Sequence, residues 1–379
     1  MSTLSTPVGE LRISKSHDHS RVPELDGVRA IAVWMVLIHH VVYGWPNPIG
    51  AFAHIPTPVL QAISHGWLGV DLFFVLSGFL ITGILLDTKE RPHYFRNFYV
   101  RRVLRIIPLY AAYVAVCYVF YRGYRSFFIL STLFAANLAQ LFGVLVPHGP
   151  GVLWSLAVEE HFYLLWPLLV FRLSRRKLTV LAIMIIVMTP IARGLAVAHG
   201  MDVNAAVYTY SWFRFDGLAL GAILAIWIRS PKASDANSYR LAACLFGASI
   251  LITLVGLPFG LMQKGALGTA LRFNQAQFLF ASGFLVALVL RSTAYVAFLR
   301  HPFARLSGNL SYCLYLVHLP LGDGYQALID HFGLHPELTI GALGSVILRG
   351  IIMVCSSFVV ALASRKYLEE PFLGLKKYF

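Results

Sequence analysis

Residues 26–43 read DGVRAIAVWMVLIHHVVY, and their only formally charged side chains stand in the first four positions. An α-helix of this length and apolar character is what the hydrocarbon core of a bilayer requires. Nine further apolar runs follow it, at about 67–87, 103–121, 155–171, 178–197, 212–229, 241–261, 273–290, 307–323 and 343–364. The sequence therefore predicts an all-α integral membrane protein, a bundle of about ten transmembrane helices.

The composition supports the same class. Of 379 residues, 58% are hydrophobic and only 13% are charged, about half the charged share of a soluble domain. The net charge of +14 comes from short clusters between the apolar runs and not from a basic stripe, and no nucleic-acid-reading motif is present. We therefore expect membrane lipids as the surroundings of this chain and no nucleic acid as a partner.

The distribution of basic residues predicts the topology. If segment 127–143 (FFILSTLFAANLAQLFG) lies in the interface or re-enters, 24 of the 31 Lys and Arg residues fall on one side of the membrane. This asymmetry places both termini in the cytoplasm. The expected organisation is a cytoplasmic segment 1–25, a transmembrane domain 26–366 and a cytoplasmic tail 367–379.

A group of arginines lies at the predicted cytoplasmic helix ends. Arg29 opens the first helix, and Arg102 and Arg105 share one face of the third because they are three residues apart. Guanidinium groups at a helix N-terminus suit a phosphate-bearing ligand. Anchoring to anionic lipid head groups is the alternative, and it is the preferred one for Arg96 and Arg101.

A second group of polar residues lies toward the outer half of the predicted bundle, and ionisable residues inside spans are candidates for function. His40 follows Arg29 by eleven residues, so both point to one face of the first helix, about 16 Å apart. A histidine oriented by a carboxylate is a plausible general base.

The choice between neighbouring residues stays open at this point. His39 and His40 cannot both face the same way, so at most one of them is the base, and Glu159 and Glu160 pose the same choice. Asp71 either belongs to this site or caps its helix.

Seven segments resemble acyltransferase family 3 of membrane O-acyltransferases, in the family's order and over nearly the whole chain. They are LDGVRAIAVWMVLIHH (25–40), GVDLFFVLSGFLIT (69–82), NFYVRRVLRIIPLY (97–110), LWSLAVEEHFYLLWP (153–167), RFDGLALG (214–221), LSYCLYLVHLPL (310–321) and YLEEPF (367–372).

The resemblance assigns roles to individual residues. It favours His40 over His39 as the functional imidazole. It implies catalytic roles for His40, Glu160, Glu159 and Asp71, and donor binding by Arg29, Arg102 and Arg105. Residues within its matching motifs are the expected acceptor-binding group, namely Trp154, Ser155, Arg214, Asp216 and His318. His161 receives no role, because the family usually has Gln or a similar residue there.

The resemblance also implies the reaction. We expect transfer of an acyl group, acetyl above all, from acetyl-CoA to a hydroxyl of a glycan or lipid-linked saccharide, in a bacterial inner membrane. Some family members carry a fused extracytoplasmic hydrolase-like domain, and this sequence is expected to act without one. No metal site is expected, since histidines and the four cysteines lack ligand spacing. The alternative function is a transporter or flippase for a saccharide-type substrate.

Overall fold

The structure is a computed structural model that describes residues 23–261, 263 and 265–379. Most of the expected N-terminal segment, residues 1–22, lies outside the described residues. Within the described ranges every regular element is helical. The prediction of an all-α integral membrane protein is therefore confirmed.

Thirteen α-helices are described. In chain order they are α1 Pro23–Tyr43, α2 Thr57–Ser64, α3 Gly69–Thr88, α4 Tyr94–Phe120, α5 Arg125–Thr132, α6 Leu153–Arg172, α7 Arg175–Ala198, α8 Phe215–Ile228, α9 Asp235–Gly256, α10 Ala266–Val289, α11 Pro302–Phe332, α12 Pro336–Ser364 and α13 Glu370–Gly374. Each of the ten predicted apolar runs overlaps one of the helices α1, α3, α4 and α6–α12.

Fewer helices qualify as spans by length and hydropathy than the sequence predicts. Six stretches of the described chain are long and apolar enough to cross a membrane, and up to eight if each of two sharply bent helix pairs counts as one span. Helix α8 has only 14 residues, and α6 and α11 contain interior polar groups such as Glu159 and His318. A count of about ten, with both termini in the cytoplasm, stays a prediction.

Segment 127–143 does not form one straight helix. Residues Arg122–Thr132 and Ala136–Phe142 are helical, and their axes differ by 115°. A bend of this size agrees with a segment that enters the bundle without crossing it as a continuous span.

Close helix contacts hold the centre of the bundle together. Helix α3 packs along α8, and a Cβ on Gly78 would lie 1.9 Å from the carbonyl oxygen of Leu218. A Cβ on Gly221 would lie 2.0 Å from the carbonyl oxygen of Val75. Only glycine lets the two backbones approach so closely, as at other small-residue contacts in membrane bundles. Helix α1 packs against α11 and also contacts α3, and the pairing of α1 with α11 positions the site.

Candidate functional site

Two histidines meet where α1 packs on α11. His40 Nδ1 lies 2.9 Å from His318 Nε2, and the ring centroids are 5.0 Å apart. Both imidazoles are largely enclosed by the bundle, and His318 is fully buried. The sequence pattern predicted each histidine separately, but only the fold brings the two rings into contact.

The hydrogen-bond partners assign the tautomers of this pair. His318 Nδ1 lies 3.1 Å from the carbonyl oxygen of Leu314, which can only accept, so Nδ1 carries the proton. Neutral His318 then accepts at Nε2, and His40 donates to it through Nδ1–H. The unshared electron pair of His40 is consequently on Nε2, where it is available to a proton or an electrophile.

His40 lines a cavity of about 330 Å³, which we call the histidine cavity. Its wall includes polar and aromatic side chains from several elements, among them His40, Trp67, His148, Trp154, Tyr208 and Tyr315. A volume of this size admits a sugar ring or a short acyl group. Because the outer end of α1 and the loops that follow it form part of the wall, the cavity lies toward the predicted outer face.

His39 has a different environment. Its Nδ1 lies 3.1 Å from the carbonyl oxygen of Ile63 on α2, and its ring is 5.4 Å from that of Tyr43. Judged by the described residues, His40 is hydrogen-bonded to a second functional candidate and His39 is not. This agrees with the expectation that the two neighbouring histidines do not share a role.

The three predicted donor-binding arginines come together at the opposite end of α1, in a group that we call the basic cluster (Arg29, Arg102 and Arg105). Arg105 is exposed yet lies within electrostatic range of Arg29, Arg102 and Glu369. Arg102 stacks over the Tyr163 ring at 5.2 Å. Among the described residues neither Arg102 nor Arg105 forms an ion pair, so both guanidinium groups remain available to an anionic ligand.

The two glutamates of α6 lie near the basic cluster and not at His40, which corrects the expected arrangement. Glu159 accepts hydrogen bonds from Ser77 Oγ at 2.7 Å and Tyr163 Oη at 3.0 Å, and it lies within electrostatic range of Arg102 and Arg29. Within the described part of the chain, neither Glu159 nor Glu160 is hydrogen-bonded to His40. His318 occupies the position beside His40 that the sequence analysis gave to a carboxylate.

Asp71 is also not the partner of His40, and it does not act as a simple helix cap. Its Oδ2 accepts from Arg214 Nη2 at 2.9 Å and its Oδ1 from Gln277 Nε2 at 2.9 Å. Gln277 reaches Asp216 as well, at 3.2 Å, and Asp216 pairs with Arg193 at 2.8 Å. We call these five residues the ion-pair cluster.

The ion-pair cluster is closed to solvent, because the side chains of both pairs are 0% exposed. The expectation that Arg214 and Asp216 contact the acceptor is therefore not met in this structure. Arg214 instead lies against the rings of Trp154 and Tyr208, at 5.6 and 5.2 Å, and these two rings form cavity wall. The cluster supports the wall from behind.

Of the remaining acceptor-binding candidates, Trp154 lines the cavity directly. Ser155 does not line the cavity itself but contacts Tyr315, which does. The Ser155 Oγ donates to the carbonyl oxygen of Val152 at 3.1 Å and lies 2.8 Å from Tyr315 Oη. Since Ser155 uses its proton on Val152, Tyr315 donates to Ser155. Ser155 thus fixes the ring of Tyr315 in the cavity wall.

Sequence reasoning missed His148 and Asp323. His148 Nδ1 lies 2.7 Å from Asp323 Oδ1. The hydrogen bond to Asp323 raises the pKa of His148, against the opposing effect of its partial burial. A carboxylate inside the apolar helix α11 is a signal that could have been found. His148 stands in a loop, where no spacing marks it.

The described residues contain no group of three or more His, Cys, Asp or Glu side chains arranged to hold a metal ion. That the protein uses no metal stays a prediction.

Comparison with known proteins agrees with the sequence pattern. The family model of the acyltransferase domain matches residues 22–365. The peptidoglycan O-acetyltransferase OatA of Listeria monocytogenes is 29% identical over 92% of this chain and 55% of its own length. The O-acetyltransferase OatA of Staphylococcus aureus is 28% identical over 82% of this chain and 52% of its own.

The chain thus spans about half the length of the curated relatives it matches. No solved structure matches it. Because the family model covers nearly all of the described helices, the chain belongs to acyltransferase family 3.

Proposed function

We propose that this protein is a membrane O-acetyltransferase that moves an acetyl group from acetyl-CoA, bound from the cytoplasmic side, to a hydroxyl of a glycan in the histidine cavity. The observation that carries the proposal is the bond between His40 and His318, which leaves a reactive nitrogen on a ring that lines the cavity. The names of the relatives support a glycan acceptor, and a peptidoglycan-type saccharide is the acceptor class we propose.

The basic cluster is the proposed donor site. Arg102 and Arg105 are free of carboxylate partners among the described residues and lie close to Arg29. Phosphate groups of coenzyme A would be bound by paired guanidinium groups. Since α1 is one unbroken helix, Arg29 and His40 lie about 16 Å apart along its axis. The flexible arm of the donor bridges this distance and brings the thioester to His40.

Two chemical routes fit the arrangement at His40. In the first, Nε2 removes the proton of the acceptor hydroxyl while the hydroxyl oxygen attacks the thioester carbonyl and the thiolate leaves. In the second, Nε2 itself attacks the thioester and carries the acetyl group to the acceptor. In both, His40 becomes positively charged, and the Nδ1–H bond to His318 stabilises that charge.

The acceptor side of the proposal rests on the aromatic wall. Trp67, Trp154, Tyr208 and Tyr315 present rings to the cavity, and aromatic faces stack well on sugar rings. The expected membrane is the plasma membrane of a bacterium, with the cavity facing outward and the basic cluster facing the cytoplasm.

The test measures transfer of radiolabelled acetyl from acetyl-CoA to membrane glycan at matched protein levels. We expect His40→Ala to lower transfer by about 10²–10⁴-fold, the usual contribution of a positioned base or nucleophile. Arg102→Ala should be rescued by high donor concentration. His54→Ala is the control, because His54 is an exposed loop histidine to which no role is assigned. Equal labelling of glycan in wild-type, His40→Ala and empty membranes would contradict the proposal and favour transport.

A further inference from the structure

A carboxylate near the outer end of the bundle is bound by four donors at once. Oδ1 of Asp323 accepts from His148 Nδ1 at 2.7 Å and Trp45 Nε1 at 3.1 Å. Its Oδ2 accepts from Tyr121 Oη at 2.7 Å and the Gly149 backbone N–H at 3.0 Å. Such a carboxylate is fixed in position, and it is an acceptor at every bond. Nothing in the proposed function uses it.

Asp323 fixes the tautomer of His148. Because the carboxylate accepts, the Nδ1 of His148 carries the proton and the unshared electron pair of the neutral ring is on Nε2. The His148 side chain is 49% exposed and lines the histidine cavity, so its ring is open to a ligand. The hydrogen bond to Asp323 and the nearby Gly44 carbonyl both raise the pKa of His148, which makes the ring a better proton acceptor.

His148 shares the histidine cavity with His40. Both side chains line it, and His148 lies close enough to act electrostatically on His40 and His318. The two histidines reach the cavity from different elements, His40 from α1 and His148 from the loop before α6. Direct transfer from thioester to hydroxyl needs one base, whereas transfer through an acetyl-histidine needs a nucleophile and a separate base.

We propose that His148, positioned by Asp323, is the base that deprotonates the acceptor hydroxyl, and that His40 carries the acetyl group; this rests on the proposed function above. His40 Nε2 attacks the thioester carbonyl, the C–S bond breaks, and the thiolate leaves. The acceptor oxygen then attacks the acetyl-imidazolium, its proton passes to His148 Nε2, and the bond from the acetyl carbon to His40 breaks. His40 returns to neutral imidazole, and the proton on His148 passes to water and finally to the thiolate.

In a purely structural role, the hydrogen bond from His148 to Asp323 would only hold the loop of His148 in place. His148→Gln separates the two roles, because a glutamine amide can still donate to Asp323 but cannot take a proton at neutral pH. His54→Gln, at an exposed position in another outer loop, is the matched control.

The first experiment supplies radiolabelled acetyl-CoA to the full-length protein in membranes and follows label on protein and on glycan. For His148→Gln we expect glycan labelling to fall by about 10²-fold or more, with acetyl label accumulating on the protein and lost if His40→Ala is added. Unchanged glycan labelling in His148→Gln would overturn the inference while leaving the proposed function intact. Loss of both labels in the folded variant would also overturn it. Absence of glycan labelling by the wild type would instead contradict the proposed function.

The second experiment is the pH profile of glycan labelling. Neutral His148 is the active form, so the wild-type rate falls as pH decreases through its raised pKa. Asp323→Asn removes the carboxylate that raises this pKa, so its acidic limb should move to lower pH while the plateau also drops.

Other ionisable groups near His148 could contribute to the profile. They are His39, His40 and His318, Tyr121 at the end of α4, and Arg349 of α12, which stacks on Trp45. An acidic limb that stays in place in Asp323→Asn would contradict the role of His148.

Discussion

The histidine cavity and the ion-pair cluster lie on the two sides of the wall that Trp154 and Tyr208 form. Their ionisable side chains differ in how fully they are hydrogen-bonded to the protein and in how much they are exposed. In the ion-pair cluster, Asp71 is bonded to Arg214 and Gln277, and the ion-paired side chains are 0% exposed. In the cavity, the ring of His40 is hydrogen-bonded to His318 through Nδ1, and the His148 side chain is half exposed. Both regions contain ionisable residues of the kind that marks function in a membrane protein.

This difference distinguishes side chains that hold the helices together from side chains that can act on a ligand. A buried group whose bonds are made to the protein holds helices in place, and removing its partner leaves an uncompensated charge. A group with an unused electron pair facing a cavity can act on a ligand. Arg214 connects the two regions, because it pairs with Asp71 and stacks on Trp154 of the cavity wall.

The largest expected effect comes from breaking the ion-pair cluster. Arg214→Ala leaves the Asp71 carboxylate buried without its cation, and we expect a loss of about 3–5 kcal/mol in the free energy of unfolding. Thermal unfolding in detergent measures it. The matched control is Arg229→Ala, whose partner Asp87 is 46% exposed, where the loss should stay below about 1 kcal/mol. Equal losses of unfolding free energy in Arg214→Ala and Arg229→Ala would contradict a stabilising role of the ion-pair cluster.

Beside the cavity, the fully buried His318 is expected to affect the rate of acetyl transfer more than the stability of the fold. His318→Leu removes the acceptor for His40 Nδ1–H, so we expect acetyl transfer to fall by about 10–10²-fold, part of what a positioned base contributes. His318→Gln offers an amide oxygen to the same proton and should restore part of the rate. A glutamine variant as slow as the leucine variant would contradict the orienting role.

The basic cluster should show a third kind of behaviour. Arg29 pairs with Asp26 at 3.3 Å, whereas Arg102 and Arg105 form no ion pair within the described ranges, and none of the three takes part in the proposed chemistry. Arg105→Ala removes one charge-assisted phosphate contact of about 1.5–3 kcal/mol, and we expect the KM for acetyl-CoA to rise by about 10–10²-fold with little change in kcat. Arg96→Ala is the control, as Arg96 stacks on Phe379 at 5.7 Å. A fall in kcat at unchanged KM would move Arg105 out of the donor site.

The smallest effect is the pH dependence of stability at the His148–Asp323 pair. The pKa of His148 is raised above its ordinary 6.5, so the pair stabilises the fold fully below pH 6.5 and loses this contribution as pH rises through the raised value. Since His148 is half exposed, less than about 1 kcal/mol is involved. The difference in unfolding temperature between wild type and His148→Gln should therefore shrink from pH 6 to about pH 9. A difference that grows with pH would contradict the pairing.

Much of the fold followed from local pattern. Apolar runs such as 26–43 predicted helices, and the scarcity of charge predicted a membrane solvent for their outer faces. The Arg29 to His40 spacing placed both residues on one helix, and the structure retains that helix unbroken. These inferences succeed because helical periodicity and hydropathy are properties of neighbouring residues.

The partners of the polar groups did not follow from pattern. Asp71 was expected near His40, but it pairs with Arg214, which is 143 positions later in the chain. His40 pairs with His318, 278 positions away, and Asp323 gathers donors from three other parts of the chain.

The sequence by itself determined the membrane class, the family and the residue types available for acyl transfer. Only the tertiary structure decided which of those residues are neutralised by a partner and which keep a free nitrogen or guanidinium group. The physical reason is that local sequence sets helix formation and burial, whereas hydrogen bonds and ion pairs depend on distances between helices that no spacing along the chain specifies.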